Sequence, residues 1–246
     1  MLHLGEMQVQ TALFFETVEE IYTRVFRMLK PRTTPPRISV RFRKYANANS
    51  RVKLADGTLS VDISDLLEDA PAPIQEALAL ILLSKLFRRV PDQSAVARYR
   101  HYLYRPDVRQ MLHSAKQTRG RKPIGSPQGK VYDLCRFFAE LNTQYFDGSM
   151  PYPQLGWSAK GSRTTLGHYD PSHHSIVLTK LLDSEAVSEL AVKYVLFHEM
   201  LHLKYPTEYR GSRRCVHTRE FKVAETQFEN FEKAKYELRR FVERLG

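Results

Sequence analysis

The sequence predicts an α+β fold laid out in two halves, and three features of its pattern carry that expectation. Helical and strand periodicities alternate along the chain. A stretch at 113–130, rich in Gly, Pro and basic residues and without apolar periodicity, divides it. The segments on either side repeat one order of elements. The 246 residues, 42% hydrophobic and 11% aromatic, suffice for one large domain or two ordinary ones with packed cores. No apolar run approaches the roughly 18 residues of a membrane span. Met1–Glu6 lacks a basic region followed by an apolar stretch, so no secretory signal is expected and the chain is expected in the cytoplasm. Two cysteines, Cys135 and Cys215, are too few and too far apart for a disulfide framework and read as thiols.

In the first half, Phe14 to Leu29 has helical spacing, and Pro31 to Pro36 breaks it. Ile38 to Phe42 and Leu59 to Ile63 read as strands, and Pro73 to Arg89 as an apolar helix stopped by Pro91. After the divide, apolar residues at helical spacing from Lys130 to Tyr145 predict an amphipathic helix ended by Asp147-Gly148 and Pro151. Strands follow at Leu155–Ala159, Thr165–Tyr169 and His174–Thr179. Asp183 or Ser184 is the expected cap of the next helix, which Pro206 closes, and a final helix is expected over Thr218–Arg244. Ser60–Pro91 aligns without a gap on Ser175–Pro206, and the order of elements matches although only five positions are identical. That order supports a tandem duplication, against generic α+β patterning. The expected domains are therefore 1–112, an N-terminal α+β domain that reads as an inactive copy, a basic linker at 113–130, and a C-terminal domain at 131–246.

The formal charge of +11 is unevenly spread. Residues 1–112 hold 17 basic and 12 acidic side chains, the linker five basic and none acidic, and 131–246 sixteen and fifteen. A basic arm beside a near-neutral domain suits a polyanion, so DNA is a candidate partner through the N-terminal half and linker, with Lys116, Arg119, Arg121 and Lys122 as candidate contacts; the alternative is a solvated surface. Tyr99, Tyr102 and Tyr104 interleave with Arg98, Arg100 and Arg105, a pattern that fits either stacking on a single strand or arginines lying over a core.

The chemistry concentrates in His198-Glu199-Met200-Leu201-His202. Four residues apart on a helix, two imidazoles project from one face and reach a single zinc at about 2.0–2.1 Å, while the neighbouring Glu199 reaches a water on the metal without being a ligand. Apolar neighbours Val195, Leu196, Phe197 and Leu201 bury this helix. A catalytic zinc usually has three protein ligands. His217 leads the candidates for the third, with Glu208, Glu220 and Glu225 as alternatives, and Glu220 could instead accept the outer N–H of a ligand. Tyr205, Tyr169, Tyr209 and His168 are candidate oxyanion donors.

These residues resemble the SprT-like metalloprotease family, which includes proteases acting on DNA–protein crosslinks. The resemblance runs through Asn142-x-x-Tyr145-Phe146 and Pro151, Trp157-Ser158, Gly167-x-Tyr169, Ile176-x-Leu178, the His198–His202 motif and His217-x-x-Glu220-Phe221. It implies a zincin-like fold of helix, three-stranded sheet, motif helix and C-terminal helix, with one Zn2+ on His198, His202 and His217 and with Glu199 as the catalytic carboxylate. Thr218 departs from the glycine common there, and no cysteines follow Cys215 to form the zinc ribbon of some members. In the first half, Leu83, Ser84, Phe87 and Tyr102 stand opposite His198, Glu199, His202 and His217, so that copy is expected to hold no metal. The expected activity is hydrolysis of peptide bonds by a zinc-bound water with Glu199 as general base, on protein or peptide substrates including DNA-associated ones. The alternative is a non-enzymatic nucleic-acid-binding or scaffold protein with a structural zinc, which a fourth ligand such as Cys215 would favour.

Overall fold

The computed structural model describes residues 16–120, 123–211 and 213–245. The chain divides into two compact units, Met1–Leu103 and Tyr104–Gly246.

Unit 1 opens with α1 (Val18–Leu29), which Thr17 caps with a reciprocal Thr17–Glu20 box. The expected start at Phe14 lies outside the described residues. Strands β1 (Arg37–Arg43), β2 (Ser50–Ala55) and β3 (Thr58–Ser64) form a sheet in the order β1-β3-β2, with β1 parallel and β2 antiparallel to β3. The β2–β3 turn needs a left-handed backbone at Asp56 and Gly57, which Asp tolerates and Gly adopts freely. A single 3-10 turn at Asp65–Leu67 leads into α2 (Ala72–Leu86), whose nearly all-round apolar surface packs on both α1 and α3 (Gln93–Leu103). Tyr99 and Tyr102 lie on α3 against this unit's core, and burial pushes the Tyr99 hydroxyl up to about 12. Tyr99 and Tyr102 thus contribute to packing of this core.

Unit 2 begins with α4 (Pro106–Arg119), started by Pro106 in its first turn. This corrects the expected linker, because His113–Arg119 is the end of a helix. Beyond it, 123–130 follows the sheet, where Gly125 N–H donates to the Trp157 carbonyl and Ile124 bridges Ser158. Next come α5 (Leu134–Phe146), capped by Asp133, and β4 (Gln154–Trp157), β5 (Gly167–Asp170) and β6 (Ser175–Leu178). Their sheet has the order β4-β6-β5, with β4 parallel and β5 antiparallel to β6.

A 3-10 turn at Lys180–Leu182 precedes α6 (Glu189–Lys204), which is capped by Ser188, not by Asp183 or Ser184 as expected. Asp183 instead accepts the N–H groups of Lys130, Val131 and Tyr132, pinning the incoming chain. Helix α6 packs on α5, β5, β6 and the C-terminal helices, so most of its sides are buried. A hairpin of β7 (Glu208–Arg210) and β8 (Arg213–Cys215) follows. The single expected C-terminal helix is two, α7 (Arg219–Glu225) and α8 (Phe231–Arg244). Asn230 breaks it in the left-handed region, and Tyr145 accepts the Glu229 N–H beside the break.

The two units share one order of elements: helix, three strands, 3-10 turn, apolar helix. Val40 pairs with Val61 and Leu155 with Ile176, each of the second pair 115 positions after its counterpart. The turns at 65–67 and 180–182 keep that shift.

Candidate metal centre

Helix α6 is anchored by the Ser188 cap and stops at Pro206, which cannot continue it. On its last turns, His198 and His202 present rings whose centroids lie 5.1 Å apart. The chain then passes through the β7–β8 hairpin and returns His217 to the same place, 5.0 Å from the His198 ring and 5.1 Å from that of His202. Thr218 fixes the return by capping α7 through the Phe221 N–H at 3.2 Å. Phe221, fully buried, packs against all three imidazoles at 4.7–5.1 Å and forms an apolar floor.

One nitrogen from each ring falls within 4.8 Å of the others, so the three could hold a metal ion. The donor set suits a borderline cation such as Zn2+. Burial, followed by its histidine neighbours, lowers the His202 pKa to about 4. Burial and His198 lower that of His217. Neutral rings with free lone pairs are what a cation requires. Among the described residues neither Cys215 nor a carboxylate joins this group; the Cys215 thiol faces the His217 carbonyl at 3.5 Å.

Glu225, an alternative ligand in the sequence reading, lies outside the group of three imidazoles and against one of them. Its Oε1 lies 2.7 Å from His198 Nδ1 and accepts from the Tyr194 hydroxyl at 2.9 Å. Burial works to raise the Glu225 carboxyl, but the bonds from His198 and Tyr194 outweigh it and hold it below the ordinary carboxylate range. With Nδ1–H given to Glu225, His198 offers Nε2 to a metal. Glu220, expected in that supporting role, is exposed at the start of α7. With Tyr205 it lines a cavity of about 530 Å³ among Tyr145, Phe146 and Leu201, a lining that includes none of the three histidines.

Glu199 is buried, and desolvation raises its pKa against the opposing pull of His198 and a hydrogen bond. That bond comes from the Tyr169 main-chain N–H on β5, at 2.8 Å to Oε2. Tyr169 therefore touches the site through its backbone, while its ring packs 6.4 Å from His174. Gly167 makes room for the carboxylate: a Cβ there would stand 2.6 Å from Glu199 Oε1 and 2.7 Å from its Cγ. The Gly-x-Tyr spacing was visible in the sequence; its reason, a strand backbone laid against Glu199, was not.

Of the candidate nucleic-acid contacts, Lys116 is committed elsewhere: its Nζ meets Asp170 Oδ1 at 2.7 Å. Arg119 ends α4, and Arg121 and Lys122 lie outside the described residues.

The α+β unit thus brings together three imidazoles that could hold a metal ion and a buried glutamate beside them on the motif helix. Residues 134–240 match the model of the SprT-like family, which is consistent with a SprT-like domain in this part of the chain. No curated protein and no solved structure matches the chain. No helix among the described residues is long and apolar enough to cross a membrane.

Proposed function

We propose that unit 2 is a zinc-dependent peptidase of zincin-like design, with His198, His202 and His217 holding the ion and Glu199 acting as the catalytic carboxylate. The observation that carries this reading is the placement of Glu199. It is buried beside the ligand trio yet outside it, with one oxygen fixed by the Tyr169 N–H. Zinc at the site supplies Lewis acidity, acidifying a water and polarising a carbonyl. Glu199 takes the proton of the attacking water and delivers it to the leaving amine, and its raised pKa suits the second task. Glu225 and Tyr194 hold the His198 ring in one tautomer throughout. The Phe221 floor keeps water from the far side of the imidazoles. The edge strand β5, whose backbone already touches Glu199, lies where an extended peptide could lie alongside.

Glu199→Gln tests the reading. The variant is expected to keep one zinc per chain by metal analysis and to lose casein cleavage. Cleavage that survives, or zinc lost along with it, would sink the mechanism. The exclusion of Cys215 from the ligand group weighs against a closed structural site.

We also read unit 1 as a degenerate copy of the same fold. The shared strand order and the constant 115-residue shift support this, and Leu83, Ser84 and Phe87 stand where His198, Glu199 and His202 would be. A fragment of residues 16–103 is accordingly expected to bind no zinc.

A further inference from the structure

The sheet of unit 1 has two unlike faces. Ile38, Val40, Phe42, Val52, Leu59, Val61 and Ile63 belong to the core. The alternating positions point the other way and are polar throughout their middle rows. The register sets Arg41, Asp62 and Arg51 side by side in one row, and Ser39, Ser60 and Lys53 in the next. Arg37 and Arg43 extend the two ends of β1. Arg37, Arg41, Arg43, Arg51 and Lys53 are all exposed. Strands spaced by about 4.8 Å and rows by about 6.7 Å confine the five cations to a patch of roughly 10 by 20 Å. The acid on this face, Asp62, accepts from Arg41 Nε at 3.1 Å and Arg43 Nε at 3.3 Å. Among the described residues Arg37, Arg51 and Lys53 have no ion pair.

We propose that this outward face binds the phosphate backbone of duplex DNA. Charge complementarity chooses the occupant. A field with a net charge of four, interspersed with the hydroxyls of Ser39 and Ser60, matches a surface of regularly repeated phosphates. Among the described residues no aromatic side chain stands on the face, so it lacks the stacking groups that select single strands. Among the described residues no apolar side chain stands in its middle rows either, so it lacks the anchors that seat a protein in the headgroup layer of a membrane. Phosphate contacts of this kind position the protein without reading sequence. The face lies outside the matched family segment, and the inference stands whether or not unit 2 cleaves peptides.

The test is binding of a fluorescent 30-base-pair DNA duplex to the full chain across a salt series. The expected slope of log affinity against log salt is about −4 for four to five neutralised phosphates. R37Q/R51Q/K53Q should flatten that slope by about 2.7 and weaken binding by about 10²-fold near 0.1 M salt. K233Q/R239Q/R244Q removes the same charge from α8 and should change affinity far less. Asp62→Asn keeps the side chain's shape and frees two arginines, so it should tighten binding and steepen the slope. An equal loss in both triple variants, or no gain from Asp62→Asn, would overturn the assignment. So would preferential retention of single-stranded DNA or of phosphatidylserine vesicles.

Discussion

At the scale of single residues, the candidate site depends on contacts one step removed from its three imidazoles. Glu225 fixes which nitrogen of His198 is free, so Glu225→Ala should weaken zinc binding by about 10–100-fold, the range seen when such supporting carboxylates are removed. Tyr194→Phe should act in the same direction and more weakly. A competition titration against a chromophoric chelator reads both, and unchanged affinity in Glu225→Ala would remove it from the account. Gly167→Ala acts on Glu199 instead. The new methyl has nowhere to go but into the carboxylate, and an ångström of displacement can cost about 10²-fold in rate. Zinc content should stay at the wild-type level while kcat falls; a full-speed Gly167→Ala enzyme would show that Glu199 is not where the reaction needs it.

At the scale of elements, α4 is held to the outer side of the unit 2 sheet by a buried charge. Burial alone would raise the Asp170 carboxyl, but Lys116 and His173 outweigh it and bring its pKa from 3.8 to about 2. A depressed folded pKa means that the unfolded chain binds the proton first. Asp170 therefore contributes its stability in full above about pH 4 and loses it as the pH falls toward 2. Lys116→Met leaves this buried carboxylate with His173 and the Ser172 N–H, and should destabilise by about 1–3 kcal/mol at neutral pH. It should also flatten the acid limb of stability. Urea titrations at pH 7, 4 and 2.5 measure both effects.

This contact also explains what the sequence concealed. Apolar periodicity made α5, α6 and the core strands legible, and the four-residue spacing of His198 and His202 announced the site. Helix α4 carries little apolar signal because its grip is polar: His113 on Ser172 and Lys116 on Asp170, both far apart in sequence. The β7–β8 hairpin was hidden for a related reason, since its strands are three residues long and mostly exposed. The division between α7 and α8 rests on one left-handed asparagine, which helical periodicity does not register.

At the scale of the whole molecule, every side chain of the candidate centre, and the core cluster around it, comes from residues after 103. A 104–246 fragment should therefore fold and bind zinc as tightly as the full chain while losing most of its affinity for a DNA duplex. A fragment that keeps the duplex would relocate the binding face. The repeated strand order has one more consequence, which arises during synthesis. Unit 1 emerges first and offers β1 and β3 before their look-alikes β4 and β6 exist, and neighbouring modules of like topology are prone to trade strands. Divergence is the safeguard. Strand β1, with Arg41 at the position equivalent to Gly156, cannot replace Gln154-Leu155-Gly156-Trp157, because Gly125 and Ile124 close over Gly156 and leave no room for even a methyl. Two modules drawn on one plan thus stay sorted by the side chains each one refuses.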